Sequence, residues 1–265
     1  MRSWRLTAVL CCLTCLWGSR AWAFRPFDST DASVADRGEM EIECGPFGYI
    51  VDADGSFLVI PAAILNVGVT SRWEIVVEAR NFLRLANSDR DALDTLREPA
   101  LSIKGVLRRG SLQNRRGPSI AVEAGMLLPD GIERGVGTSV AGIVSQRFSL
   151  ATVHLNGRWL MTHEHTTAGS FGGIVEGPSR WKLRPVAELT VARESGETAS
   201  AGLLGAIWQV RRQLSIDAGW RVERSGGEHA REFRAGFTWT FPLGSGGATE
   251  RPEAANRPTR WRSRA

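Results

Sequence analysis

The chain has 265 residues, of which 43% are hydrophobic and 23% are charged, and its formal net charge is +5. The positive excess lies at the two ends, because residues 24–241 hold 25 basic and 26 acidic side chains. We therefore expect no basic face on the folded part and no nucleic-acid partner.

The N-terminus has the pattern of a secretory signal peptide. Arg2 and Arg5 precede and open an apolar run, and the small-x-small triplet Ala21-Trp22-Ala23 closes it. We predict cleavage after Ala23 and export of residues 24–265, with an uncleaved anchor as the alternative. The run is too short and too early for a good transmembrane helix.

Four cysteines occur in the sequence, and three of them lie in the predicted signal peptide at positions 11, 12 and 15. None of the three follows the Leu-small-small sequence of a lipid-attachment cysteine. Cys44 is then the only cysteine of the mature chain, so no intrachain disulfide is expected.

The segment 24–37 is polar and rich in turn residues, and we interpret it as a periplasmic lead-in. From Gly38 onward the sequence alternates with period two in segments of membrane-spanning length, separated by turn residues. The pattern predicts about twelve strands, near residues 38–51, 57–68, 72–84, 99–108, 118–128, 138–148, 151–161, 168–177, 181–193, 198–210, 214–224 and 229–241.

Strand length and alternation together indicate the fold class. A tilted strand that crosses a bilayer needs about nine to eleven residues, whereas globular strands average about five or six. The apolar side of the predicted strands includes many glycines and alanines, which suits a lipid-facing wall better than a close-packed core. We predict an all-β, transmembrane antiparallel up-and-down β-barrel over residues 38–241, with a secreted sandwich or soluble barrel as the alternative.

The connection lengths favour one orientation of this barrel. If Gly38 starts in the periplasm, the connections at 70–71, 149–150, 178–180 and 211–213 fall on the periplasmic side and are short. The longer connections at 85–98, 129–137 and 162–167 then lie outside. The basic stretch 109–117 is an exception, because it is long and falls on the periplasmic side, so the register near 108–118 stays open.

The last predicted strand ends with aromatic residues of one parity, Phe237, Trp239 and Phe241. They resemble the C-terminal signal read by the barrel-assembly machinery, and the same side chains would form part of an interfacial girdle. In the usual pattern the aromatic residue is the last of the chain, whereas here residues 242–265 follow Phe241. This tail is rich in Gly, Pro and Arg, and we predict a disordered periplasmic segment, with binding to peptidoglycan or an anionic partner as the alternative.

Two stretches carry a resemblance to a known family. The segment 117–129, GPSIAVEAGMLLP, and the segment 153–159, VHLNGRW, resemble the outer-membrane proteins of the phenol meta-cleavage-pathway family and related aromatic-hydrocarbon transport proteins. The resemblance implies an outer-membrane barrel and transport of aromatic or other hydrophobic compounds. Fold by itself does not decide function.

The inward parity of the predicted strands carries many polar and ionisable groups. They could line a wet pore and set its selectivity, or pair across strands and partly occlude the lumen, which is the interpretation that we favour. These lumen-lining candidates are Glu41, Glu43, Glu74, Glu78, Arg80, Lys104, Glu123, His154, Asn156, Arg158, Glu176, Arg184, Glu188, Asp217, Arg221, Glu223, Glu232 and Arg234.

Metal and catalytic sites have little support in the sequence. His163 and His165 project together in an extended loop, but further ligands are missing nearby, so an exposed loop without metal is favoured. His154 and Asn156 share a face, yet no serine is placed beside them by spacing. The glycines of 169–177 precede no helix and match no phosphate loop. We expect no cofactor, no metal and no enzyme.

These observations predict an integral protein of the Gram-negative outer membrane that is surrounded by lipid. Its expected role is passive passage or lateral delivery of a small molecule, for which hydrophobic and aromatic compounds are the candidates. The alternative is a closed-lumen structural or binding protein that acts through its outer loops or its tail.

Overall fold

A computed structural model of the protein describes residues 26–52, 55–85, 94–130 and 134–243, and the side chains of 94–98 are not described. The predicted signal peptide and most of the predicted C-terminal tail lie outside these residues. Among the described segments, no helix is long and apolar enough to cross a membrane.

Twelve antiparallel strands close into a single barrel, which confirms the predicted fold class. Each strand pairs with its neighbours in chain order, and β1 pairs with β12 to close the sheet. The strands are β1 Glu39–Asp52, β2 Gly55–Gly68, β3 Trp73–Arg84, β4 Asp94–Arg108, β5 Ser119–Leu127, β6 Gly137–Arg147, β7 Thr152–Met161, β8 Thr167–Glu176, β9 Leu183–Glu194, β10 Glu197–Arg211, β11 Leu214–Ser225 and β12 Glu228–Pro242.

The wall has an apolar outer face and a polar inner face. On the outer face Leu189 and Leu204 are 72% and 70% exposed, whereas the inward-facing Glu188 and Asp217 are 3% and 2% exposed. Aromatic side chains on the outer face lie toward both ends of the barrel, at Trp73, Phe148, Trp181, Trp208 and Trp239 near one end and at Tyr49, Trp159 and Phe171 toward the other. A closed barrel with this apolar band and two aromatic belts is built to span a bilayer.

Two names describe the ends of the barrel. The terminal end is the end where β1 begins and β12 finishes, and the backbone N–H of Leu243 donates to the carbonyl of Gly38 there. The opposite end is the distal end. The basic stretch 109–117, near which the sequence did not define the strand register, lies at the terminal end. It forms the loop between β4 and β5, which contains a short 3₁₀ turn at Ser111–Gln113.

The lumen as candidate functional site

The structure places all eighteen lumen-lining candidates on the inner face of the barrel. The register of the strands explains why the predicted inner-face residues agree with the observed ones. Residues directly opposite each other on paired strands share a face, as in the pairs Lys104–Glu123 and Arg221–Glu232. Many of these side chains are buried, and Glu43, Glu74, Lys104, His154, Glu188 and Asp217 are each at most 5% exposed. Buried charges of this density require partners.

Many of those partners come from a segment that sequence reasoning placed elsewhere. Residues 26–36 do not form a lead-in outside the barrel but lie inside it, in contact with inward side chains of most strands. We call this stretch the lumen segment. Its sequence, PFDSTDASVAD, contains carboxylates and backbone N–H groups that bind the wall. A polar composition is therefore compatible both with a solvated linker and with a segment inside a charged lumen.

The first anchor of the lumen segment is a carboxylate held between two arginines. Asp28 accepts hydrogen bonds from Arg221 Nε at 2.6 Å and from Arg234 Nη1 at 2.8 Å. Glu188 accepts the backbone N–H groups of Asp28 and Ser29, both at 2.8 Å. Burial opposes ionisation of Asp28, but Arg234 and Arg221 outweigh it and hold its pKa below the ordinary value. The anchor therefore joins the segment to β9, β11 and β12.

The second anchor lies on β6 and β7. Thr30 donates its N–H to Asn156 Oδ1 at 3.1 Å, and Asn156 Nδ2 donates to the carbonyl of Thr30 at 2.8 Å. The N–H of Ala32 donates to Ser145 Oγ at 2.9 Å, and Gln113 of the β4–β5 loop donates to the carbonyl of Ala32 at 2.8 Å. The loop and the wall thus hold the middle of the segment from two sides.

The third anchor lies on β3 and β4. Lys104 Nζ is 3.6 Å from Asp31 Oδ1 and 3.5 Å from Glu74 Oε1, and the N–H of Ala35 donates to Glu74 at 2.6 Å. Burial again opposes ionisation of Asp31, but Lys104, His154 and the hydrogen bonds from Ser33 lower its pKa. With this anchor the lumen segment follows the wall from β12 round to β3.

Ser145 completes an arrangement that the sequence alone did not suggest. Its Oγ lies 2.8 Å from His154 Nδ1, and His154 Nε2 lies 3.4 Å from Glu176 Oε1. A serine, a histidine and a carboxylate in contact form the outline of a catalytic triad. Here Ser145 has no exposed surface and its Oγ accepts the N–H of Ala32, so in this conformation it holds the lumen segment.

A cavity of about 890 Å³ remains in the lumen beside the segment. We call it the acidic chamber, because carboxylates predominate on its β1–β5 wall, where Lys104 is the basic residue. Its wall residues include Glu41, Glu43, Glu74, Glu78, Lys104 and Glu123. Asn66 donates to Glu43 at 2.9 Å and Ser102 donates to Glu123 at 2.9 Å, so part of this wall is fixed by neutral partners. The chamber provides space for water or a small solute.

The inner face changes character toward the distal end. Ile50, Phe57, Val59 and Phe82 share the inner face there, since Ile50 pairs with Phe57 and Val59 pairs with Phe82. Val59 is buried, and the Arg84 guanidinium lies 5.7 Å from the centre of the Phe57 ring. We call these four residues the distal apolar patch. Other inward apolar side chains, such as Ile174, Val186 and Leu203, pack against Phe27 of the lumen segment. Apolar side chains on the lumen wall offer a surface for an apolar solute.

The sheet is interrupted beside this patch. The β1–β2 ladder has no pairs between Gly45–Ala62 and Gly48–Val59, and Pro46 and Pro61 lie in the gap. The register also shifts in β2–β3 between Val59 and Ala62, and in β3–β4 between Glu78 and Arg80. Because proline cannot donate to a ladder, these adjacent interruptions weaken one part of the wall.

The histidine loop is separate from the lumen sites. His163 Nε2 is 3.1 Å from the carbonyl oxygen of Leu128, and His165 has a left-handed backbone with φ 63°. The two imidazoles therefore do not sit in the extended arrangement that would have projected them together. In the described part of the chain, no group of three or more His, Cys, Asp or Glu side chains is placed to hold a metal ion.

The sequence matches no protein-family model and no curated protein. Among solved structures, the barrel is similar to the COG4313 outer membrane channel from Pseudomonas putida F1, with TM-score 0.55 and 10% identity over 82% of this chain and 99% of that one. It is also similar to the KdgM porin, with TM-score 0.51 and 8% identity over 77% and 99% of the two chains. At these identities the likeness shows the fold alone, which is the fold of outer-membrane channels and porins.

Proposed function

We propose that the protein is an outer-membrane channel that carries a small hydrophobic molecule from the distal end to the lipid through the side of the barrel. The observation that carries this proposal is the position of the distal apolar patch beside the interrupted ladder of β1–β4. The apolar outer face and the aromatic belts support a location in the membrane, and the predicted signal peptide supports export. The terminal end then faces the periplasm.

The contrast within the lumen supports the lateral route over an axial one for such a molecule. An apolar solute gains from contact with Phe57, Val59 and Phe82, whereas the acidic chamber further along the axis surrounds it with charged side chains. Moving from the patch into the chamber would strip water from charged groups without replacing their hydrogen bonds, which is unfavourable. The weakened wall at Pro46 and Pro61 leads instead toward lipid.

A second candidate function keeps the lumen closed. It is favoured by the lumen segment, which contacts the wall through three anchors and leaves the acidic chamber beside it. In that case the barrel would serve as a structural or binding protein. The closing aromatic residues Phe237, Trp239 and Phe241 serve assembly by the barrel-assembly machinery under either proposal.

Uptake of a hydrophobic fluorophore by intact cells tests the proposal. We would express the full chain in Gram-negative cells whose lipopolysaccharide excludes N-phenyl-1-naphthylamine and follow the rise in its fluorescence. Wild type is expected to accelerate uptake. Val59→Asn, in the patch, is expected to reduce it, while the matched change Val76→Asn, in the chamber wall, is expected to leave it unchanged.

Single-channel conductance of the refolded protein separates the remaining outcomes. Uptake without stable conductance steps supports lateral delivery. Conductance steps without fluorophore uptake would replace the proposal with a water-filled pore for polar solutes. Neither activity, from a barrel that folds by heat-modifiability on gels, would favour the closed-lumen protein.

A further inference from the structure

The two ends of the barrel differ in charge. At the terminal end the turns and loop between strands, residues 69–72, 109–118, 148–151, 177–182 and 212–213, contain no acidic residue. Ten exposed basic side chains lie in or next to these connections and at the start of β1. We call them the basic rim: Arg37, Arg72, Arg108, Arg109, Arg115, Arg116, Arg180, Lys182, Arg211 and Arg212.

The distal end shows no such excess in the part of the chain that the structure describes. Its exposed basic residues are accompanied by exposed acidic ones in the same connections and strand ends. The acidic members are Glu164, Glu194, Glu197 and Glu228, and the basic members are Arg84, Arg134, Arg193, Arg224 and Arg231. The two signs therefore nearly offset each other at this end, and the basic rim is a property of the terminal end.

The basic rim has few partners within the protein. Arg108 donates to the carbonyl of Pro118, and Arg109 donates to Ser71. Over the described residues, no carboxylate lies within ion-pair distance of any of the ten side chains. Arg109, Arg115 and Arg212 also line the acidic chamber, and the other seven side chains form an array of exposed charges of one sign that is expected to attract an anionic partner.

The position of the basic rim on the barrel indicates which kind of anionic partner it binds. The rim occupies four of the five connections at the terminal end and so surrounds the barrel, whereas a docked soluble protein would favour one side. Several members adjoin the aromatic belt in sequence: Arg72 precedes Trp73, and Arg180 and Lys182 flank Trp181. Aromatic belts lie at headgroup depth, and basic side chains beside them reach lipid phosphates.

We propose that the basic rim binds the headgroups of anionic phospholipids in the leaflet at the terminal end of the barrel. The site recognises the phosphate of a phosphatidylglycerol-type lipid through several arginines around the circumference. This inference rests on the membrane-spanning barrel and not on the transported molecule. It therefore stands or falls independently of the proposed function.

Spin-labelled lipids test the inference directly. The full mature chain, refolded in phosphatidylcholine vesicles, would be probed by electron paramagnetic resonance with spin-labelled phosphatidylglycerol and spin-labelled phosphatidylcholine. The ratio of the association constants of the anionic and the zwitterionic lipid is expected to lie above one and to reach about five. A factor of about five corresponds to ~1 kcal/mol, the contribution of one basic side chain at an anionic surface. The ratio should fall toward unity in ~1 M salt, where the Debye length is only about 3 Å.

Two matched variants locate the effect. Arg180→Gln/Lys182→Gln/Arg211→Gln/Arg212→Gln is expected to lose most of the selectivity. Arg84→Gln/Arg134→Gln/Arg193→Gln/Arg224→Gln, at the distal end, is expected to keep it. If the first variant does not fold, Arg180→Ala/Lys182→Ala and Arg211→Ala/Arg212→Ala are measured separately. Selectivity that is absent in wild type, unchanged in the rim variants, or lost equally in the distal variant would overturn the inference.

Discussion

The two walls of the lumen partner their charges differently. On β9–β12, Asp28 bridges Arg221 and Arg234 through hydrogen bonds of 2.6 and 2.8 Å, and Arg234 also donates to Glu232. On β3–β4, Lys104 lies 3.5 Å from Glu74 on the neighbouring strand and 3.6 Å from Asp31 of the lumen segment, beside the acidic chamber. The first wall holds the lumen segment through short hydrogen bonds between charged side chains, whereas the second holds it through a longer ion pair and a backbone N–H and also borders open space. Charges fixed by direct partners hold structure, while charges beside a cavity remain available to solvent or solute.

Deletion of residues 26–36 should have the largest effect on this contrast, because it removes the lumen segment, whose Asp28 binds the arginines of the β9–β12 wall. Single-channel conductance in planar bilayers is expected to rise severalfold, as both walls would then face open lumen. The deletion variant must still show the heat-modifiable gel shift of a folded barrel. An unchanged conductance would mean that the lumen segment does not restrict the path.

Arg234→Leu should produce the largest loss of stability among single substitutions. It removes the arginine partner of the buried Glu232 and one of the two arginine partners of the half-buried Asp28, which keeps Arg221; breaking a buried pair in this way costs about 3–5 kcal/mol. The measurement is urea unfolding of the protein in lipid vesicles. Arg224→Leu, which removes an exposed arginine at the distal end, serves as control and is expected to change stability by less than about 0.5 kcal/mol.

Lys104→Met should lower the free energy of unfolding by about 1–3 kcal/mol, which is less than the loss expected for Arg234→Leu, although Lys104 is only 5% exposed. After the change Asp31 keeps the hydrogen bonds from Ser33, Glu74 keeps the N–H of Ala35, and the chamber can supply water to both. The same unfolding measurement applies. A loss as large as that of Arg234→Leu would show that the two walls are equally dependent on buried pairs, and the contrast would fail.

Acid should release the first anchor only at low pH. The folded-state pKa of Asp28 is lowered, so its contribution to stability is full above the unfolded-state pKa of about 3.9 and declines as pH falls toward the folded value. Proteolysis of the lumen segment, followed from pH 7 downward with an acid-tolerant protease, should stay slow until about pH 4. Asp28→Asn should be cleaved faster at pH 7 and should depend less on pH in the acid range.

Gly172→Ala should have the smallest effect. A Cβ atom at this position would lie 2.1 Å from Ser29 Oγ, so the lumen segment must shift or Ser29 must rotate. We expect a loss of about 0.5–1.5 kcal/mol in the unfolding free energy. Gly157→Ala is the matched control, because a Cβ there meets nothing within 4 Å. Equal effects of the two changes would show that the segment is not held closely at Ser29.

Much of the fold follows from the sequence because the barrel is built from local patterns. Period-two alternation and turn residues place all twelve strands within a few residues, and the parity of Phe237 and Trp239 agrees with the register that closes β12 on β1. The largest difference in a boundary is in β4, which begins at Asp94 rather than near 99 because it continues past the register shift at Pro99. The inward parity likewise identifies the ionisable wall of the lumen.

The barrel, its two faces and the charged character of its interior therefore follow from patterns within single strands. Which side chains meet follows only from the folded arrangement: Asp28 reaches Arg221 and Arg234, Ser145 lies beside His154, and an apolar patch adjoins the interruption near Pro61. The first contact joins residues 193 positions apart in the chain. Alternation is a local signal that a strand carries within itself, whereas these contacts arise only when distant segments share one closed interior.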